Sequence, residues 1–400
     1  MATLQSARKS ADSDAVIREI EQAEGYIASI CFKTGPPETV GVEIEYTVHD
    51  QHDPSTPIDR ERLCQALGDH APGTLRPGSP GLPLRHGSAV TLEPGGQVEL
   101  SSRPHPTLTA LHAAVNAELD QLETLLDRAA LRRGDTGTDP HRRPTRLLDT
   151  PRYDAMESAF QRRGVSGRIM MCSTAGLQVC LDAGPAERLT DRWAAVHEIG
   201  PPLLALFANS PRLAGTETGW ASARQRVWRG IDPSRTRPVT VSGDPATAWA
   251  RYALDATVLC VRRTDGPWAV PAGVTFAGWI RGELPRPPTY ADLDYHLSTL
   301  FPPVRPRGYL EIRYLDTQPG RAWFAPAALL HALLDDPVTT DKARDLCAPT
   351  TGRWVEAARD GLADPALNRA ALALRDLALE DLDLPPQLLD EVIEGSARNG

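Results

Sequence analysis

Gly41-Val42-Glu43-Ile44-Glu45-Tyr46 and Leu92-Glu93-Pro94-Gly95-Gly96-Gln97-Val98-Glu99-Leu100-Ser101 are the clearest strand patterns in the chain. In both, apolar and polar residues alternate, as expected of a strand with one dry face and one polar face. Val42, Ile44 and Tyr46 share a face, while Glu43 and Glu45 share the other, about 7 Å apart from two residue rises. Val98 and Leu100 likewise oppose Gln97, Glu99 and Ser101, with Glu93 just upstream. The pattern returns in Leu177-Gln178-Val179-Cys180-Leu181, where Gln178 opposes the apolar residues, and in Tyr309-Leu310-Glu311-Ile312-Arg313-Tyr314, where Glu311 and Arg313 share the polar side. A merely solvated face usually mixes Lys, Thr, Ser and Glu. Here Glu43, Glu45, Glu93, Glu99 and Glu311 recur with no Lys among them. Carboxylates gathered on one sheet repel and raise each other's pKa values, so such a face needs counter-cations.

Oxygen ligands suit Mg²⁺ and Ca²⁺, whereas zinc favours His and Cys, and no His/Cys cluster is present. The expectation is therefore a pocket holding several Mg²⁺ ions on a sheet face. Mg²⁺ held by a few carboxylates keeps positions open for phosphate oxygens, which points to nucleotide chemistry. There is no G-x-x-x-x-G-K-[ST] loop and no H-E-x-x-H. His197-Glu198 stands alone, and Gly164-Val165-Ser166-Gly167 is not a nucleophile elbow. Cysteines 31, 64, 172, 180, 260 and 347 form no C-x-x-C pair, so they read mostly as small buried hydrophobes.

Outward from these stretches, Val16, Ile20, Ala23, Ile27 and Ile30 predict a helix over 14–31, closed by Gly35-Pro36-Pro37. Leu108, Leu111, Val115, Leu122 and Leu126 predict a long helix after the second stretch. Residues 169–182, 256–262 and 309–315 read as strands. Asp191 to Asn209 reads as a helix split by Pro201-Pro202. Residues 50–59, 69–83, 133–152 and 230–248 read as loops, the last three long enough to act as lids. Beyond Ala322 the pattern is helical through Val392. Strands and helices mix without βαβ spacing, which predicts α+β with an antiparallel sheet. One domain over 1–400 is expected, comprising an N-terminal helix in 1–35, a sheet-based core in 36–320 and a helical part in 321–400.

The 400 residues carry a net charge of −9, which argues against a broad nucleic-acid surface. No run of about 18 apolar residues predicts a membrane span. Met1 to Asp14 is polar and lacks the apolar core of a signal peptide, so a cytoplasmic location is expected. Lys occurs only at positions 9, 33 and 342, and the Arg richness reads as a genome effect rather than a functional signal.

The chain resembles the glutamate–cysteine ligases of the plant-like group. The resemblance rests on Gly41–Glu45 and Leu92–Ser101, followed in order by Leu206-Phe207-Ala208-Asn209-Ser210-Pro211, Arg226-Val227-Trp228, Asp232-Pro233-Ser234-Arg235-Thr236, His296–Pro302 and Tyr309–Arg313. It spans roughly residues 40–320, and the E-P-G-G-Q-x-E-L-S string is its most specific part. It implies a funnel of curved antiparallel sheet wrapped by helices, related to the catalytic domain of glutamine synthetase. It also implies ATP-driven joining of the glutamate γ-carboxylate to cysteine through an acyl phosphate.

Carried over by position, Glu43, Glu93 and Glu99 would hold one Mg²⁺ and Glu45, Gln178 and Glu311 another, with a third sharing these ligands. Glu43, Glu45, Glu99 and Arg313 would be catalytic. Arg235, Arg226, Trp228 and Thr174 would contact substrate. Length and composition look most like the bacterial branch that supplies γ-glutamylcysteine to ergothioneine synthesis. Two alternatives remain open at this point: a related carboxylate–amine ligase with another acceptor, and a non-catalytic metal-binding relative.

Overall fold

A computed structural model describes residues 13–397. Residues 1–12 and 398–400 lie outside it, and with them nearly all of the polar stretch Met1–Asp14. Six antiparallel strands form the main sheet: β1 (Val40–Tyr46), β2 (Ala89–Leu92), β3 (Val98–Ser101), β4 (Gly176–Leu181), β5 (Val304–Pro306) and β6 (Leu310–Asp316), in the order β2-β3-β1-β4-β6-β5. The short strands β2 and β5 are the edges, and β5 ends in Pro306. A proline suits that position because an edge strand can leave a backbone donor site empty.

Alternation sorts the sheet into two faces. Val42, Ile44, Tyr46, Val98, Leu100, Leu177, Val179, Leu310, Ile312 and Tyr314 are all buried on one side. They share a continuous hydrophobic cluster with Leu111, Val115 and Leu122 of the helix Leu108–Asp127 and with Leu329 and Leu333 of the helix Phe324–Asp335. Each such side chain withdrawn from water contributes about 1.5–3 kcal/mol, so this dry face holds the strands in register. The polar face is thereby left for chemistry.

The register places Glu45 directly opposite Glu99, and Glu43 between Ser101 on β3 and Gln178 on β4. Glu311 pairs with Cys180, and a register shift between Ile312 and Leu315 bends β6. The β2–β3 hairpin turns at Pro94-Gly95-Gly96. Gly96 takes a left-handed φ of +87°, and a Cβ on Gly95 would collide with the backbone of Cys172. Only glycine lets the hairpin tip lie flat on the end of the helix Ser166–Ser173.

Local sequence accounts for the helical boundaries. The first helix begins at Ile20, not residue 14, because Glu19 and Gln22 form a reciprocal cap. Before it, Val16 bridges Thr289 and Ile17 donates to the Pro288 carbonyl. The double proline splits its segment into Leu189–Glu198 and Gly200–Leu206. The stretch 169–173 is helical rather than extended, with the strand starting only at Gly176. Residues 256–262 form no strand; Thr257 makes an isolated bridge to Thr275. The expected loop 230–248 contains the turn of helix Pro233–Thr236 and the start of the helix Pro245–Asp255. Beyond Trp323 come five α-helices ending at Ala397, two of them started by an Asp-Pro cap at Asp336 and Asp364. No described helix is long and apolar enough to cross a membrane.

Candidate active site

The polar face of the sheet brings three carboxylates together. Glu45 on β1, Glu93 in the hairpin turn and Glu99 on β3 each offer an oxygen within 4.8 Å of the others. Glu45 is buried, and the other two are half-buried. The backbone N–H of Gly176 donates to one Glu45 oxygen (2.7 Å) and the Gln178 amide to the other (3.2 Å). Thr91 donates its hydroxyl to Glu99. Among the described residues, the Glu93 carboxylate has no hydrogen-bond donor or salt-bridge partner.

Burial, followed by the neighbouring carboxylates, pushes Glu93 up to about 8 and Glu99 up to about 7. Glu43, next to the trio, is pushed up to about 7 by burial and then by Glu311 and Glu99. Burial also raises Glu45, against the pull of Arg224 and Arg313. Carboxylates in this state are short of positive charge. Their donor set is all oxygen, so a hard divalent cation such as Mg²⁺ fits it.

Glu311 is placed differently from the expectation that it joins Glu45 and Gln178 around an ion. It is fully buried inside a cage of arginines. Arg305 donates through Nε (2.6 Å) and Nη2 (3.0 Å), Arg307 through Nη1 (2.9 Å) and Arg313 through Nη1 (2.9 Å). Burial alone would raise this carboxyl, but Arg305, Arg313 and Arg307 together hold it well below the usual carboxylate range. Gln178 turns its oxygen to Arg313 and its amide to Glu45. Gln178 thus turns an amide N–H, not its oxygen, to Glu45 of the trio. Arg313 itself bridges Glu311 and Gln178 in the middle of the face.

The four residues expected at substrate divide. Trp228 stands at the site, edge-to-face on Phe301 (5.3 Å), with the guanidinium groups of Arg224 and Arg313 at 5.8 and 5.9 Å from its ring. Arg226 points outward over Trp220 and is exposed. Arg235 is fully buried and used internally, donating to Asp232 (3.0 Å) and to the carbonyls of Thr299 (2.8 Å) and Thr257 (2.5 Å). It braces the loop before Phe301 instead of facing the acids. Thr174 donates its hydroxyl to the Met170 carbonyl (2.6 Å) and closes a helix.

Arg224 was not anticipated. It is 2% exposed, lies against Gly176 and donates to the Arg313 carbonyl (3.1 Å), while its Nε and Nη1 have no hydrogen-bond partner among the described residues. Its nearest anion is Asp316, at 3.8 Å. A buried cation with two idle donors costs several kcal/mol unless something anionic meets it. Helical spacing could have found it, because Arg224 and Trp228 are one turn apart on the helix Ala223–Arg229 and Arg226 is on the opposite side.

An antiparallel sheet backed by helices, with carboxylates and arginines facing each other on its open side, defines an α+β protein whose open sheet face carries a candidate cation site. Within that class, the chain belongs to glutamate–cysteine ligase family 2, whose model matches residues 39–391. It is 44% identical over 369 residues to the glutamate–cysteine ligase EgtA of Mycolicibacterium smegmatis, covering 90% of this chain and 84% of that one. It is 42% identical to the EgtA of Mycobacterium tuberculosis, covering 96% and 90%. The chloroplastic glutamate–cysteine ligase of Arabidopsis thaliana is 32% identical over 68% of this chain and 53% of its own. In fold, the chain is similar to a crystal structure of the Francisella tularensis glutamate–cysteine ligase in complex with AMP, with a TM-score of 0.53 at 15% identity over 92% of this chain and 82% of that one.

Proposed function

We propose that this chain joins the γ-carboxylate of L-glutamate to the amine of L-cysteine using ATP. A γ-carboxylate oxygen takes the terminal phosphoryl group, releasing ADP. The cysteine amine then attacks the acyl carbon, loses a proton and displaces phosphate. The observation that carries the reading is the convergence of Glu45, Glu93 and Glu99 beside the unsatisfied guanidinium of Arg224, in a chain of this family.

In this reading Glu45, Glu93 and Glu99 hold Mg²⁺, with Glu43 close enough to share in a set of two or three ions. Bound Mg²⁺ would neutralise these carboxylates and draw phosphate oxygens to them. Arg224, walled by Trp228, takes the α-carboxylate of an amino acid through its idle donors. Arg313 sits between the acids and Glu311 and orients the transferring group without a protein nucleophile, as phosphoryl transfer requires. Apolar surroundings at Trp228 and Phe301 keep water from the acyl phosphate.

The finer points belong to the same proposal. One catalytic domain is supported by a hydrophobic cluster that runs unbroken from Ile17 to Val392. A curved funnel related to glutamine synthetase, a cytoplasmic setting and use of the product for ergothioneine follow from the resemblance. The test is ADP release with ATP and Mg²⁺ while each amino acid is omitted in turn. Full turnover with cysteine left out, or with another amine in its place, refutes the acceptor.

A further inference from the structure

Asp316 ends β6 fully buried, and the sheet register pairs it with Gly176, the residue that Arg224 lies against. Its two oxygens are spent on neighbours other than Arg224. Oδ2 accepts from the Asn209 backbone N–H (2.9 Å) and the Ser210 hydroxyl (2.7 Å), and Oδ1 accepts from the Ser222 hydroxyl (2.9 Å). Those two hydroxyls in turn accept the backbone N–H groups of Arg224 (3.1 Å, on Ser210) and Gln225 (3.2 Å, on Ser222). Both are first-turn donors of the helix Ala223–Arg229, where a helix offers its own N–H groups no partner. A Cβ on Gly137 would fall 2.7 Å from the Asp316 Cγ, so only glycine lets the chain seal the carboxylate on that side. Burial pushes the Asp316 carboxyl up, against the pull of Arg224 and the three donors.

Nη1 of Arg224 stands 3.8 Å from Oδ1 of Asp316, beyond hydrogen-bond reach but close enough for charge to act. A direct bidentate pair would fill the fork that a substrate carboxylate needs. The hydroxyl relay avoids this. It fixes the start of the helix, and with it Arg224 and Trp228, while Nε and Nη1 of Arg224 stay without a hydrogen-bond partner among the described residues. Gly176 ties the arrangement to the acids, since its N–H donates to Glu45 (2.7 Å). Resting on the ligase reading above, we propose that Asp316 is a positioning residue for glutamate: through Ser210 and Ser222 it aims Arg224 at the substrate α-carboxylate, and it balances the buried guanidinium without occupying the donors. A fork held in this way has little order left to lose when its ligand arrives. Asn209 and Ser210, from the motif string Leu206–Pro211, thereby serve the site from beneath instead of touching substrate.

The test is the glutamate KM from ADP release, measured beside calorimetric binding of ADP with Mg²⁺ to the full chain. Asp316→Asn keeps the shape of the side chain and removes its charge. It should raise the glutamate KM by about tenfold or more and leave ADP binding within about twofold of the parent. Ser210→Ala, which leaves the carboxylate in place, should raise the same KM by about threefold to tenfold, and it repeats the measurement should the asparagine variant fold poorly. A double-mutant cycle asks whether Asp316 acts through Arg224. Arg224→Lys combined with Asp316→Asn should raise the glutamate KM no more than about twofold beyond Arg224→Lys alone. An unmoved glutamate KM, losses that multiply in the double variant, or ADP binding that weakens as far as the glutamate KM rises each overturns the proposal; the last marks a residue that only holds the fold. A parent that releases no ADP with glutamate and cysteine present removes the ligase reading as well, whereas a parent that turns over and variants that match it remove only the role of Asp316.

Discussion

Stripping divalent ions and raising the pH from 7 to 8.5 should soften this protein, and Mg²⁺ should reverse the loss. Glu43 and Glu99 are pushed up to about 7 and Glu93 to about 8, from 4.5 in an ordinary setting. A carboxyl whose folded pKa is raised contributes stability that is present below its unfolded pKa and lost as pH rises through the folded one. The window starts at 7 because His49, pushed down to about 4 by burial, works in the opposite sense below its ordinary 6.5. It ends at 8.5, below the ordinary thiol value, because burial raises Cys180 and the other buried thiols.

At about 1.4 kcal/mol per pH unit of displacement, ionising the three carboxyls across this window costs on the order of 2 kcal/mol, with the half-buried state of each favouring the lower side. An unfolding entropy of about 2.1 cal/mol/K per residue over 400 residues converts that into a fall in Tm of about 2–3 °C. Differential scanning calorimetry in EDTA across the window measures it. Saturating Mg²⁺ should raise Tm more at 8.5 than at 7, since fewer protons then compete for the ligands. The triple variant of Glu43→Gln, Glu93→Gln and Glu99→Gln should flatten the EDTA curve. A Tm in EDTA that stays level or rises, or a Gln variant that falls as steeply as the parent, refutes the reasoning.

Three other perturbations separate the parts of the site. If Glu45 and Glu99 hold the ion as proposed, Glu45→Gln and Glu99→Gln should each cut ADP release by more than about a hundredfold with circular dichroism unchanged; near-normal turnover in either removes that residue from the set. Arg224→Lys should raise the glutamate KM by about tenfold or more and leave ADP binding intact, because a point charge replaces a fork in an enclosed pocket. Glu311→Gln should destabilise the fold by about 3–5 kcal/mol by leaving three arginines without their shared anion; chemical denaturation would show this, and an unchanged midpoint would mean the cage adds nothing to stability.

The strands were legible because their chemistry alternates. Val42, Ile44 and Tyr46 against Glu43 and Glu45 admits one reading, and the register pairing Glu45 with Glu99 follows once both dry faces must be buried together. Ile169-Met170-Met171-Cys172 misled because a short apolar run suits a buried helix as well as a strand. Arg226 drew attention from its place in a motif string, although the helical period makes Arg224 the partner of Trp228. The cage was missed because it is a product of pairing. Arg305 reaches Glu311 only through the tight turn at Gly308, and nothing in either residue's own neighbourhood announces the other. Arg235 shows the reverse error, a residue in a motif whose donors serve the fold.

The two outermost strands of the sheet carry a consequence for association. β2 offers four residues and β5 only three, the last of them Pro306, which has no N–H to give. Neither rim can template the strand of another molecule along any useful length. The rims of this sheet therefore give a neighbouring chain too little exposed backbone to extend it into a fibre.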